Sequence, residues 1–146
     1  MRILIDADGC PVVDITLRVA KRYGVECIIF SDTAHVFERE GTETVVCSKG
    51  ADSVDFALVN RAVSGDVVIT QDYGLAGMCL ARGAAAFNQD GLQYTEDNID
   101  ALLHSRHVLS KIRESGGRTK GAKKRGRVQD EAFERALIRY LEGECG

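Results

Sequence analysis

Tryptophan is absent from this chain of 146 residues, and proline occurs only once. Long hydrophobic runs are also missing, because the apolar stretch at residues 3–5 is much too short for a signal peptide or a membrane-spanning helix. The five cysteines are odd in number and none has a C-x-x-C spacing, which argues against a disulfide framework or a zinc ribbon. These absences predict a cytoplasmic protein that makes no membrane contact.

The length and composition fit a single globular domain over residues 1–146. Hydrophobic residues make up 45% of the chain and charged residues 28%, which is enough apolar material for an ordinary core. We expect a core over residues 1–112, a basic glycine-rich loop over 113–127 and a C-terminal helix over 128–143.

Positive charge is concentrated in one segment, although the whole chain has a formal net charge of −3. Residues 106–127 hold nine of the 19 Lys and Arg but only one acidic residue, Glu114. An acidic body with one basic strip favours nucleic acid as a partner; the alternative is a solvated run that neutralises the body. The candidate nucleic-acid-binding residues are Arg118, Lys120, Lys123, Lys124, Arg125 and Arg127.

Strand-like and helix-like patterns alternate along the chain. Short apolar runs predict strands over residues 2–8, 25–30, 43–48, 66–70 and 84–88. Amphipathic spacing predicts helices over 11–23, 50–65, 73–83, 95–114 and 129–143, the first of them ended by Gly24. This alternation predicts an α/β fold in three layers, a mostly parallel five-stranded sheet with helices on both faces.

Five aspartates are predicted to converge on one edge of that sheet. Asp6 and Asp8 end the first strand in "LIDADGCPV", and Asp72 follows the fourth strand. Asp52 and Asp55 fall in the first turn of the helix after the third strand. Since ligands of open α/β sheets bind beyond the carboxyl ends of the strands, these five residues are the candidate catalytic acids.

So many carboxylates in one cleft require a cation, and oxygen ligands suit Mg²⁺ or Mn²⁺. Asp6, Asp8 and Asp72 are the candidate metal ligands. Each aspartate taken alone is equally well explained as a turn or cap residue, which is how we interpret Asp14 and Asp66.

Further polar residues are expected near the same edge. Gln71, beside Asp72, and Asn88, after the fifth strand, are candidates for orienting water or phosphate. His35, in the loop after the second strand, is a candidate base or ligand, although a lone loop histidine is more often a surface residue. Thr70 is a further candidate for orienting water or phosphate, although an ordinary strand residue is the preferred interpretation. Cys10 is interpreted as a structural thiol.

Two classes of enzyme share these features. "LIDADG" resembles the first motif of haloacid-dehalogenase-type phosphatases, in which the first aspartate, here Asp6, is the nucleophile. Cys10 departs from that motif, no lysine is convincingly placed, and Asp66 precedes its strand. The order of the acids, with Asp6 and Asp8 first, a helical pair next and Asp72 last, is instead typical of a PIN-like nuclease fold.

A closer resemblance covers nearly the whole chain. The motifs "DADGCPV", "SDTAHVF", "GADSVDFALVNRA", "GDVVITQDYGLA", "YTEDNID" and "GGRTKGAKKR" occur in an order similar to that of the YaiI/YqxD family of uncharacterised bacterial proteins. The resemblance implies a PIN-like domain but supplies no proven activity. One departure from PIN nucleases concerns the fourth ligand: no acid follows Asp72 until Asp90, so that ligand is either Asp8 or missing.

The sequence therefore leads to three hypotheses. The first is a metal-dependent nuclease of the PIN-like type acting on RNA or DNA. The second is a PIN-like module that binds nucleic acid without catalysis. The third is a phosphatase of the haloacid-dehalogenase type.

Overall fold

The computed structural model describes residues 1–32, 39–47, 53–114 and 124–145. Within these ranges six strands form one sheet: β1 (Arg2–Asp6), β2 (Glu26–Ser31), β3 (Glu43–Val46), β4 (Val67–Ile69), β5 (Ala85–Phe87) and β6 (Gln93–Tyr94). Their order in space is β3-β2-β1-β4-β5-β6, and the pairs from β3 to β5 are all parallel. Strand β6 pairs with β5 in the antiparallel direction. The prediction of five strands missed β6, because two residues are too few to show an alternating pattern.

Five helices are described: α1 (Val13–Tyr23), α2 (Ser53–Arg61), α3 (Tyr73–Ala81), α4 (Glu96–Glu114) and α5 (Arg127–Cys145). Each matches a predicted helix, with shifts at the ends. Gly24 ends α1 as predicted, with a φ of 67° and an N–H that donates to the Ala20 and Lys21 carbonyls. None of the helices in the described ranges has both the length and the apolar character needed to span a membrane.

The helices cover both faces of the sheet, as predicted. Helices α1 and α5 pack on the face that carries Ile3 and Ile5. Helices α2, α3 and α4 pack on the opposite face, which carries Leu4 and Val68. Because successive strand residues point to opposite faces, the continuous apolar run of β1 supplies both cores.

Helix α5 is part of the core. Phe133, Leu137 and Leu141 are four residues apart, lie on one side of the helix and are completely buried. Burial of each such side chain stabilises the fold by roughly 1.5–3 kcal/mol. The C-terminal helix therefore packs on its own chain.

The turn between β5 and β6 is pressed against α5. Asn88 shapes this turn, since its Oδ1 accepts hydrogen bonds from the N–H groups of Asp90 and Leu92 at 2.9 and 2.8 Å. Gly91 has a φ of 88°, and a Cβ added there would lie 2.8 Å from the carbonyl oxygen of Ala132. Only glycine fits this contact without strain.

Replacing Gly91 by alanine is expected to lower the free energy of unfolding by about 2–3 kcal/mol, because overpacking adds to the cost of the left-handed backbone. Urea denaturation followed by circular dichroism measures the loss. Gly41→Ala is the matched control, since Gly41 has a φ of 79° but open space where its Cβ would lie. Equal losses in the two variants would show that the contact with α5 has no energetic weight.

Candidate active site

The acids predicted at the ends of β1 and β4 lie at one edge of the sheet. Ile5 is paired with Ile69, which places Asp6 at the end of β1 beside Thr70, the residue after β4. The Thr70 hydroxyl donates a hydrogen bond to Asp6 Oδ2 at 2.7 Å. The Thr70 hydroxyl oxygen also accepts a hydrogen bond from the backbone N–H of Asp72 at 3.0 Å. We call the group of Asp6, Asp8 and Asp72 the acidic edge.

Asp72 caps helix α3. Its Oδ1 accepts hydrogen bonds from the N–H groups of Gly74 and Leu75, at 2.9 and 3.2 Å. These bonds satisfy two backbone donors of the first turn and fix the direction of the carboxylate. Asp72 is therefore a helix cap, the structural interpretation that applies to each aspartate taken alone.

Asp8 is turned towards the end of β2. Its Oδ2 accepts a hydrogen bond from the backbone N–H of Asp32 at 2.6 Å, and its Oδ1 accepts one from the Ser31 hydroxyl at 3.2 Å. The carboxylates of Asp8 and Asp72 are therefore held by the elements on either side of Asp6.

The pKa of Asp6 shows that these charges act on one another. Burial raises the pKa of this carboxyl to about 6, and the hydrogen bond from Thr70 opposes the rise. The negative charges of Asp55, Asp72 and Asp8 contribute smaller parts of the same rise. Asp55 lies in the first turn of α2, close enough for its charge to act on Asp6.

The donor atoms at this edge suit a hard divalent cation, since they are carboxylate and hydroxyl oxygens. However, within the described residues no three acidic, histidine or cysteine side chains are grouped closely enough to hold one ion. The acids approach one another without forming a closed set of metal ligands.

The candidate Asn88 shapes the β5–β6 turn, and the other candidates apart from Arg125 fall into three groups. Gln71 binds the loop after β1, because its Nε2 donates to the Gly9 carbonyl at 2.8 Å. Lys124 and Arg127 are exposed near the start of α5. Five candidates lie outside the described residues: His35, Asp52, Arg118, Lys120 and Lys123.

Arg125, predicted to contact nucleic acid, connects α5 to the β5–β6 turn. Its guanidinium pairs with Asp90 at 2.7 Å and with Asp130 at 2.8 Å. It also donates to the Gln89 carbonyl at 2.6 Å. These bonds place one end of the basic segment next to the turn that follows β5.

Two contacts were not foreseen from the sequence. Thr70, interpreted as an ordinary strand residue, connects β1 to α3 through its hydroxyl. Ser31 and the backbone of Asp32 orient Asp8. The position of Thr70, two residues before a helix-capping aspartate, could have indicated its contact with the Asp72 N–H. Its contact with Asp6 depends on the pairing of β1 with β4, which residue spacing alone does not reveal.

The remaining sequence interpretations concern Cys10 and Asp66. Burial raises the pKa of the Cys10 thiol to about 11, which agrees with a structural thiol rather than a nucleophile. Asp66 precedes β4 and pairs with Arg2 at the start of β1, at the opposite edge of the sheet from Asp6. It serves as a turn residue there and does not contribute to the acidic edge.

Fold and site together define a three-layer α/β protein with an acidic site at the carboxyl edge of its parallel strands. The family model described as "Uncharacterized BCR, YaiI/YqxD family" matches residues 4–143. The chain therefore belongs to the YaiI/YqxD family.

Relatives in this family are similar over nearly their whole length. A UPF0178 protein of Exiguobacterium sibiricum is 54% identical over 141 residues, which is 97% of this chain and 96% of the relative. A UPF0178 protein of Ruminiclostridium cellulolyticum is 47% identical over 99% of this chain and 94% of its own length. One from Clostridium tetani is 44% identical over 99% of both chains. No solved structure matches the chain.

Proposed function

We propose that this protein is a PIN-like, divalent-metal-dependent phosphodiesterase that hydrolyses RNA or DNA at the acidic edge. The observation that carries the proposal is the pair of hydrogen bonds made by the Thr70 hydroxyl, one to Asp6 and one from the backbone of Asp72. This bridge holds acids from two neighbouring parallel strands at the place where ligands of open α/β sheets bind.

An incomplete set of protein ligands is compatible with this chemistry. Mg²⁺ usually keeps several waters and is held by one or two carboxylates together with substrate phosphates. Asp6, Asp8 and Asp72 would hold the cation, and Asp55 adds negative charge close by. When bound, the cation supplies Lewis-acid activation of water and neutralises the charge of the phosphate.

The chain's own residues have separate tasks in this proposal. Thr70 fixes one oxygen of Asp6, and the first turn of α3 fixes one oxygen of Asp72. The exposed Lys124 and Arg127 would bind the phosphate backbone. Arg125 keeps these cations near the β5–β6 turn through its pairs with Asp90 and Asp130.

The proposal is tested with labelled single-stranded RNA and DNA incubated with Mg²⁺, Mn²⁺ or EDTA. Cleavage is expected with a divalent cation, none with EDTA, and a loss of about 100-fold or more in Asp6→Asn. Asp14→Asn is the control, because Asp14 is an exposed acid that pairs with Arg39 and is not among the charges that raise the pKa of Asp6. Cleavage that persists in EDTA, or that Asp6→Asn retains, would contradict the proposal.

One observation favours a second candidate, a nucleic-acid-binding module without catalysis. Asp72 already acts as a helix cap, and in the described ranges no three acids form a ligand group. This candidate predicts binding that survives Asp6→Asn, no cleavage under any metal condition, and a loss of affinity when Lys124 and Arg127 are both replaced by alanine.

A further inference from the structure

A cleft of about 400 Å³ lies beside the acidic edge. Its walls come from the loop after β1, the end of β4, the β5–β6 turn and the start of α5. The side chains that line it are Pro11, Gln71, Gln89, Asp90, Arg125 and Gln129. We call it the glutamine cleft, after the three amide side chains that surround it.

The glutamine cleft shares a wall with the acidic edge. Gln71 directly precedes Asp72, and Gly9, which also lines the cleft, directly follows Asp8. The hydrogen bond from Gln71 Nε2 to the Gly9 carbonyl connects the two segments that form the wall between the cleft and the acidic edge. A nucleotide whose phosphate lies at the acidic edge would therefore have its base or sugar within reach of the cleft.

The charges in the cleft disfavour a second phosphate. Arg125 is its one cationic lining residue in the described part of the chain, and this guanidinium is already paired with Asp90 and Asp130. Arg125, Asp90 and Asp130 together have a net negative charge, so an uncharged group fits the cleft better than a phosphate does.

The amide side chains offer both donors and acceptors to such a group. Among the described residues, Gln71 uses its Nε2 for the Gly9 carbonyl, and Gln129 uses its Oε1 to accept the Gly126 N–H at 2.9 Å. The side chain of Gln89 makes no hydrogen bond to any described residue. Glutamine amides suit the edges of nucleobases, where donors and acceptors stand side by side.

Pro11 adds a non-polar surface to the cleft. Among the described lining residues it alone has a non-polar side chain, and its ring is exposed. A rigid ring next to amide groups suits a flat ligand that is apolar on its faces and polar at its edge. We propose that the glutamine cleft binds the base of a nucleotide whose phosphate is held at the acidic edge, an inference that rests on the proposed function.

The test measures binding of fluorescein-labelled hexanucleotides by fluorescence anisotropy in millimolar Mg²⁺, with phosphorothioate linkages that resist hydrolysis. Three probes are compared: an RNA hexamer and a DNA hexamer of mixed sequence, and a DNA hexamer with abasic residues at all six positions. The protein is expected to bind a base-containing hexamer about tenfold more tightly than the abasic one. The tighter-binding hexamer of the two that contain bases shows whether the cleft takes its base from RNA or from DNA.

The preference for bases should depend on Gln89. Gln89→Ala removes the amide while keeping the backbone carbonyl that binds Arg125, and it is expected to reduce the preference about fivefold. Gln93→Ala is the matched control, because Gln93 is an exposed glutamine in β6 that does not line the cleft. Equal thermal midpoints for the two variants confirm that both are folded.

Three results would overturn the proposal: no binding of either base-containing hexamer, equal binding of the abasic hexamer, or an unchanged preference in Gln89→Ala. Because the linkages of the probes resist hydrolysis, the measurement does not depend on cleavage. A protein that prefers bases but never cleaves would refute the proposed hydrolysis and leave the base site in place. A protein that cleaves but shows no preference for bases would refute the base site and leave the proposed hydrolysis in place.

Discussion

Replacing Asp6 by asparagine is expected to raise the free energy of unfolding at pH 7 by about 2 kcal/mol in the absence of divalent cations. The pKa of Asp6 is raised from 3.8 to about 6 by burial and by neighbouring acids, so ionising this carboxyl opposes folding. One pKa unit corresponds to about 1.4 kcal/mol, and partial solvent access reduces the full value. Asparagine carries no charge, and its carbonyl can still accept the hydrogen bond from Thr70.

The pH dependence has a definite sign. Between pH 4 and about 6 the folded protein holds a proton on Asp6 that the unfolded chain has released. The contribution of Asp6 to stability is therefore present at low pH and is lost as the pH rises through this window. Urea denaturation in EDTA at several pH values should show wild type and Asp6→Asn nearly equal at pH 4 and diverging up to pH 7.

Adding Mn²⁺ extends this prediction to the proposed metal site. A ligand at 100 times its dissociation constant stabilises the folded state by about 2.7 kcal/mol. Wild type should gain stability from millimolar Mn²⁺, Asp6→Asn should gain none, and the control Asp14→Asn should behave as wild type. Parallel pH curves for wild type and Asp6→Asn would show that Asp6 titrates normally, and an equal Mn²⁺ effect in both would place the cation elsewhere.

Replacing Asp66 by alanine is expected to lower the free energy of unfolding by about 3 kcal/mol. The Asp66 side chain is 3% exposed and pairs with the Arg2 guanidinium at 3.0 Å. It also accepts hydrogen bonds from the backbone N–H groups of Arg2 and Val63, at 3.1 and 3.0 Å. Its removal leaves two backbone donors without their acceptor and the partly buried Arg2 guanidinium without a counter-charge, although the Arg61 carbonyl still accepts from it. This loss costs far more than the ion pair itself is worth.

Asp14→Ala is the matched control for this variant, because it also breaks an Asp–Arg pair. The Asp14 side chain is 73% exposed and its bond to Arg39 lies at the surface, so only a small loss is expected. Urea denaturation of both variants at pH 7 gives the comparison. Similar losses would mean that Asp66 is no more important to the fold than a surface acid.

The order of layers and the position of the acids could be predicted from the sequence because they follow from local patterns. Strands that alternate with helices are almost always parallel, and parallel strands bring their carboxyl ends to one edge. The convergence of Asp6, Asp8 and Asp72 therefore needed only the strand ends to be located. The end of α1 at Gly24 could also be predicted, since a glycine after an amphipathic helix is a common C-cap.

What the sequence did not reveal depends on contacts between distant segments. Arg125 looks like one more cation in a basic run, and only the fold brings it to Asp90, 35 residues earlier. The second helix was predicted to extend to residue 65 but ends at Arg61, because Asp66, which is held by Arg2 at the start of β1, accepts the Val63 N–H and shapes a turn there. In both cases a tertiary partner decides the role of a residue whose local pattern is ambiguous.

The Thr70 hydroxyl has a single proton, so its two hydrogen bonds, to Asp6 and from the backbone of Asp72, have opposite directions. One lone pair of its oxygen is occupied by the Asp72 N–H, while the proton is given to Asp6. A serine at position 70 would preserve this polarity, whereas valine, which has nearly the same shape, would abolish it. The requirement at position 70 is therefore for an oriented dipole rather than for volume, and any change in the charge of Asp6 would be transmitted through that dipole to the start of α3.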